Sequence, residues 1–211
     1  MRALIALIFA LTLGGCQSAY YAAMEKVGIE KRDILVDRVE EAKDAQQEAQ
    51  QQFSSALEQF SQLIQFDGGQ LQDVYDDLKA QYEASEESAK RVSERIDKVE
   101  SVAEALFDEW QQELEEYSNE KLRRDSSRKL KETRNRYQKL LSTLRKTESK
   151  MAPVLTALND NVLYLKHNLN ASAIGALQGE FSGIKREIEQ LIKEMNKSIA
   201  QSNDFIASMQ Q

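Results

Sequence analysis

Apolar residues in this chain recur at alternating steps of three and four, and that spacing limits its folds more than any other feature. It is the 3.5-residue period of a coiled-coil seam, and no strand-like alternation competes with it. A first run reads Leu35, Val39, Ala42, Gln46, Ala49, Phe53, Ala56, Phe60, Leu63 and stops at Phe66-Asp67-Gly68-Gly69. Paired glycines permit left-handed backbone angles, so the first helix is predicted to end there. A second run continues Leu71, Tyr75, Leu78, Tyr82, Ser85, Ala89, Val92, Ile96, Val99, Ala103, Leu106, Trp110, Glu113, Tyr117. Two such runs joined by a short linker predict an antiparallel hairpin. The aromatic side chains of the second run are read as core packing with their polar tips turned outward.

The third run is Leu130, Arg134, Tyr137, Leu141, Leu144, Glu148, Met151, Leu155, Leu158, Val162, Leu165, Leu169. It keeps one phase across Pro153, which is therefore read as a kink or a local restart inside a helix. The fourth run is Leu177, Phe181, Ile184, Ile188, Leu191, Met195, Ser198, Ser202, Phe205, Met209. Its phase differs from the third by five residues, so a break is required between Leu169 and Leu177. Asn168, Asn170, Ser172 and Gly175 supply turn and capping chemistry there.

Between the second and third runs the register slips by three residues, which a continuous coiled coil tolerates. No Gly or Pro occurs from Gln70 through Ala152, although Asp125-Ser126-Ser127 could turn. Two all-α architectures follow. One is an extended rod of long antiparallel coiled-coil helices, its central helix near 100 residues and so on the order of 150 Å. The other is a four-helix up-down bundle that turns within 118–128 and lays a basic third helix against an acidic first pair. The absence of a strong breaker favours the rod. The expected organisation is a leader over 1–15 and a helical domain over 16–211. That domain comprises a hairpin over 24–117, a basic segment over 118–150 and a C-terminal hairpin over 130–211.

Charge is strongly divided. Residues 30–120 carry 9 basic and 25 acidic side chains, whereas residues 121–150 carry 12 basic and 3 acidic ones. The acidic half repels nucleic acid and anionic membrane. The basic segment suits either, but intramolecular pairing or plain solvation is the simpler expectation.

The first sixteen residues give an address. Arg2 precedes an apolar stretch from Ala3 to Leu13, followed by Gly14, Gly15 and Cys16, the only cysteine. Charge, short apolar core, small residues and cysteine make a lipoprotein export signal. Cys16 is the expected lipidation site, carrying a diacylglycerol thioether and palmitate-type acyl chains. No disulfide can then form.

Chemical motifs are missing. His167 is the only histidine and lacks metal-ligating company. No phosphate-binding loop, nucleophile elbow or His-Glu-x-x-His helix occurs. The expectation is a protein that is not an enzyme, with no catalytic residue, cofactor or metal. Nucleic acid is not expected as a partner, because no nucleic-acid fold surrounds the basic residues.

Four segments resemble a proteobacterial lipoprotein family known as domain of unknown function 2959. They are the stretch from Ala22 to Val39, Phe66-Asp67-Gly68-Gly69, Ala105-Leu106-Phe107-Asp108-Glu109-Trp110, and the stretch from Val162 to Asn170. The resemblance spans nearly the whole mature chain and implies a Gram-negative envelope lipoprotein. It brings no catalytic residue. In that setting Gln17, rather than aspartate, after Cys16 favours sorting to the outer membrane, with the chain on the periplasmic face. The expected role is a structural or interaction one, a spacer or adaptor held to the membrane by its lipid. Its partner is expected to be an envelope protein or another copy of itself. The alternatives are an accessory regulator of an envelope enzyme such as cell-wall synthesis machinery, or a lipid-binding, membrane-remodelling module using the basic 121–150 face.

Overall fold

The computed structural model describes residues 21, 24, 26, 28–65 and 71–210. Among these the chain forms four long helices and no strand: α1 Lys31–Leu63, α2 Leu71–Glu113, α3 Glu120–His167 and α4 Ala171–Met209. Each packs on two neighbours, in the ring α1–α2–α3–α4 and back to α1. Side-chain pairs give the directions. Glu41 meets Arg95 and Gln52 meets Gln81, so α1 and α2 are antiparallel. Phe107 meets Tyr137 while Asp97 meets Arg145, and Phe60 meets Phe181 while Gln50 meets Asn196. Every adjacent pair is antiparallel, which is the up-down bundle.

The expected all-α helices are therefore present, in the compact one of the two arrangements. The expected continuous helix through 118–128 is corrected: α2 ends at Glu113 and the chain reverses over 114–119. Glycine and proline are not needed for this reversal. The last turn of α2 tightens, with Glu115 N–H donating to the Gln112 carbonyl and Glu116 N–H to that of Glu113, both at 3.0 Å. Asn119 then caps α3, its Oδ1 accepting from the N–H groups of Lys121 at 3.0 Å and Leu122 at 3.2 Å. The apparent three-residue slip was a change of helix. Asn119→Ala should cost about 1 kcal/mol, lowering the thermal midpoint by a few degrees. A midpoint identical to the parent's would mean that the cap contributes nothing.

The break before the fourth run falls where the sequence places it. Asn168 N–H donates to the Leu165 carbonyl at 3.0 Å, and Asn170 Oδ1 accepts from Ser172 and Ala173 N–H at 3.0 and 3.2 Å. Gly175 lies within α4 and takes no part in the turn. Pro153 sits exposed inside α3, which runs through it unbroken. The Phe66-Asp67-Gly68-Gly69 turn lies outside the described residues.

All nine residues of the first run are buried, from Leu35 to Leu63, and in the fourth run only Phe181 is less than buried. In α3 the seam is turned by one residue. Tyr137, Leu144, Met151, Leu158 and Leu165 are buried as expected, but the intervening buried positions are Leu140, Thr147, Val154 and Asn161. Val162 of the predicted line is buried beside them; Arg134, Leu141, Glu148 and Leu155 are half-buried, and Leu169 is exposed. A helix with two neighbours buries a wider stripe than a two-stranded seam, and α2 and α4 cover α3 from both sides. Of the second run, Glu113 is exposed at the end of α2 and Tyr117 is exposed in the turn beyond it.

Ahead of α1 the chain folds back along the bundle. Gly28 has φ +83°, Ile29 N–H donates to the Met24 carbonyl, and the Tyr21 hydroxyl lies 3.3 Å from Ser101 Oγ on α2. Met24 and Ile29 pack against the core. Lys31 Nζ then reaches Glu109 at 2.8 Å, which places the start of α1 beside the end of α2.

Candidate interaction surface

Cys16, the expected lipidation site, lies outside the described residues, so the structure bears on surfaces alone. Those surfaces are set by what the core leaves out. The filled interior pushes the long polar side chains to the outer faces of the helices. Of the second run's aromatic side chains, Tyr82 packs with its hydroxyl donating to Glu86 at 3.1 Å, half-buried Trp110 donates from Nε1 to Ser126 Oγ at 2.8 Å and ties α2 to α3, and Tyr117 is exposed rather than packed.

The basic segment forms the first two thirds of α3. At 100° per residue, Lys121, Arg124, Arg128, Lys131, Lys139 and Lys146 project within one outward sector of it. All six are exposed. Asn135, Gln138, Ser142 and Ser149 lie along the line without adding charge, and exposed Glu132 borders it.

Pairing with the acidic half is slight. α3 packs on α2 and α4, whereas α1 stands across the bundle from it. The described ion pairs between α2 and α3 all belong to Arg145, which holds Asp97 at 2.7 Å and Glu100 at 2.6 Å while gripping Glu148 of its own helix at 3.0 Å. Burial works against its charge, but hydrogen bonds to Glu100, Asp97 and Glu148 outweigh that and raise its pKa further. On the other side Lys146 reaches Glu194 at 3.2 Å, and this hydrogen bond holds the Glu194 carboxyl below the usual range. Arg123 pairs with Glu120, and Arg128 and Lys129 pair with Asp125, within the helix. Among the described residues no carboxylate pairs with Lys121, Arg124, Lys131 or Lys139. Of the two outcomes expected for the basic segment, pairing with the acidic helices is confined among the described residues to Arg145, and most of its other cations are solvated.

Near the α2–α3 turn, Tyr117 and Leu122 are exposed, Leu122 by 55%. They share a shallow groove with Glu113 and Glu116. Burial, then repulsion from Glu109 and Glu116, raises the Glu113 pKa, with Lys31 opposing. A second groove between α3 and α4 is lined by Arg136, Lys139 and Asp204 over Leu140 and Phe205. A third, near the opposite end, runs between Asn161 and Tyr164 of α3 and Leu177 and Ile184 of α4. Each mixes apolar floor with polar rim, suited to a side chain or short segment of a partner.

His167 stands exposed in the last turn of α3, where a cation would face the negative end of the helix dipole. Among the described residues no group of His, Cys, Asp and Glu is placed to hold a metal ion. None of the described helices is long and apolar enough to cross a membrane.

The continuous exposed line on α3 was legible as a run of charge in the sequence. That it stays largely unpaired was not, because pairing depends on which helices become neighbours. Compared with known proteins, the chain matches the sequence model of one family, described as a protein of unknown function (DUF2959), over residues 20–209. No curated protein and no solved structure matches it.

Proposed function

Since the chain belongs to the DUF2959 family, we propose that it is a lipid-anchored envelope adaptor: a rigid helical bundle tethered through Cys16, offering its outer helix faces to an envelope partner. The Leu13-Gly14-Gly15-Cys16 motif carries the anchoring half of this reading, and Gln17 directs it to the outer membrane. The observation that carries the adaptor half is the closed four-helix core, which leaves outer faces and shallow grooves as the places for contact. A spacer role rested on a helix on the order of 150 Å. The longest helix has 48 residues, about 72 Å at 1.5 Å per residue, so reach is no longer the argument. A regulator of an envelope enzyme is one form such an adaptor takes. A lipid-binding role is favoured by one further observation, the unpaired basic line on α3.

Replacing Cys16 with Ser tests the anchor. The expected result is an unprocessed precursor, or mature protein released from the outer membrane fraction. Normal processing and outer-membrane fractionation of Cys16→Ser would refute it. Crosslinking in intact cells followed by mass spectrometry tests the adaptor role, which predicts a recurrent envelope partner captured through the outer faces.

A further inference from the structure

We propose that the outward face of α3, from Lys121 to Lys146, is a docking surface for the headgroups of an anionic lipid bilayer. This deepens the anchored-adaptor reading and rests on it for the presence of a membrane nearby. Lys121, Arg124, Arg128, Lys131, Lys139 and Lys146 lie along one side of an unbroken helix, over about 38 Å at 1.5 Å per residue. Four of them, Lys121, Arg124, Lys131 and Lys139, have no carboxylate partner among the described residues. They therefore need not break an existing pair before meeting phosphate.

The shape favours a flat partner. Cations on a straight helix face reach a planar sheet of charge simultaneously, whereas duplex phosphates curve away across a groove about 12 Å wide. The intervening Asn135, Gln138 and Ser142 hydrogen-bond readily to headgroups and add no repulsion, while exposed Glu132 borders the face and subtracts one charge from it. The acidic surface belongs to α1 and α2, which expose Asp37, Glu40 and Asp44 on the one and Asp76, Glu83 and Glu94 on the other. A bilayer that attracts α3 thus repels that side, so the two charges together set which face turns toward the lipid. Attraction of this kind is worth roughly 1 kcal/mol per surface cation, which is about a five-fold change in binding. It is screened within about 8 Å at physiological salt. A tether raises the local concentration of lipid, so a modest surface suffices.

The test uses the full chain carrying Cys16→Ser, so that no acyl chain contributes. Partitioning is measured onto phosphatidylcholine vesicles with and without phosphatidylglycerol, and the ratio of the two is taken. That ratio cancels whatever apolar residues contribute equally to both. Lys121→Gln, Arg124→Gln and Lys131→Gln together should lower the ratio on the order of a hundred-fold. Raised salt should do the same. Lys79→Gln, Lys90→Gln and Lys98→Gln on α2 remove the same charge and should leave the ratio within a few-fold. Circular dichroism confirms that both triple variants keep their helices. Equal loss in both would overturn the proposal in favour of net charge alone. An unchanged ratio in the α3 variant would overturn it outright. Loss of duplex DNA binding without loss of vesicle binding would move the surface to nucleic acid. Because every protein here lacks the Cys16 thiol, a negative result leaves the fractionation test of the anchor untouched, and the reverse also holds.

Discussion

Ile96→Asp is expected to cost at least about 4 kcal/mol and to lower the thermal midpoint by more than about 10 °C. Ile96 is fully buried in the middle of α2, on the line that also holds Val92, Val99 and Ala103. A carboxylate there must either lose its hydration or force two helices apart. The nearest cation along the chain, Arg95, already holds Glu41 at 2.6 Å on the outer margin of the α1–α2 seam. Glu87→Lys provides the control. Glu87 is largely exposed and pairs only with Arg91, at 3.1 Å one turn away, so its loss should stay within about 0.5 kcal/mol. Thermal melts followed by circular dichroism compare the two. Equal midpoints would mean that the buried line of α2 is misplaced.

Gln46→Met is expected to act in the opposite direction, raising stability by about 1–3 kcal/mol. Among the described residues the bundle encloses seven polar side chains. Three of these bond back to their own helix: Ser85 Oγ donates to the Gln81 carbonyl, Ser202 Oγ to that of Ser198, and Asn161 Nδ2 to that of Ala157. Thr147 Oγ1 instead reaches the Glu194 carbonyl on α4, at 3.4 Å. Gln46 is fully buried between Ala42 and Ala49, and neither its Nε2 nor its Oε1 meets a protein partner. Such an amide has given up water without repayment. Methionine has nearly the same length and shape without the polar atoms, and should fill the same space. At about 2–4 °C per kcal/mol for a chain of this size, the midpoint should rise visibly. A midpoint that falls or stays level would mean that the amide is satisfied within the bundle by enclosed water. A retained buried amide is also a known way of holding helices in register. Scattering from Gln46→Met should therefore be compared with the parent for any change in size or oligomeric state.

The buried lines of α1 and α4 were readable residue by residue, down to the burial of Gln46, Ser198 and Ser202. Which face of a helix is covered follows from periodicity, a property of about eleven consecutive residues that needs no knowledge of neighbours. The α3–α4 turn was readable for a similar reason, since Asn168 and Asn170 coincide with a shift of phase that one helix cannot absorb. The α2–α3 turn was not. Its phase shift of three is compatible with an unbroken coiled coil, and Asn119 ends the ambiguity through a side-chain cap that leaves no glycine or proline behind. Asp125-Ser126-Ser127, the alternative turn, lies inside α3, where Ser126 accepts from Trp110.

Periodicity and composition alone make this protein helical, place most of its apolar lines and concentrate positive charge in one stretch of thirty residues. The closure into a bundle, the burial of Leu140, Thr147 and Val154 of α3 between two neighbours, and the outward, largely unpaired cations of α3 come from the packing of the helices. The reason is physical. A helix and its amphipathic stripe arise from interactions three and four residues apart, whereas the direction in which the chain leaves a turn depends on free-energy differences of a cap or a few contacts. Once that direction is set, acidic α2 packs beside α3 and α1 stands across from it, so the opposite charges stay largely apart because α3 turns most of its cations outward rather than toward α2.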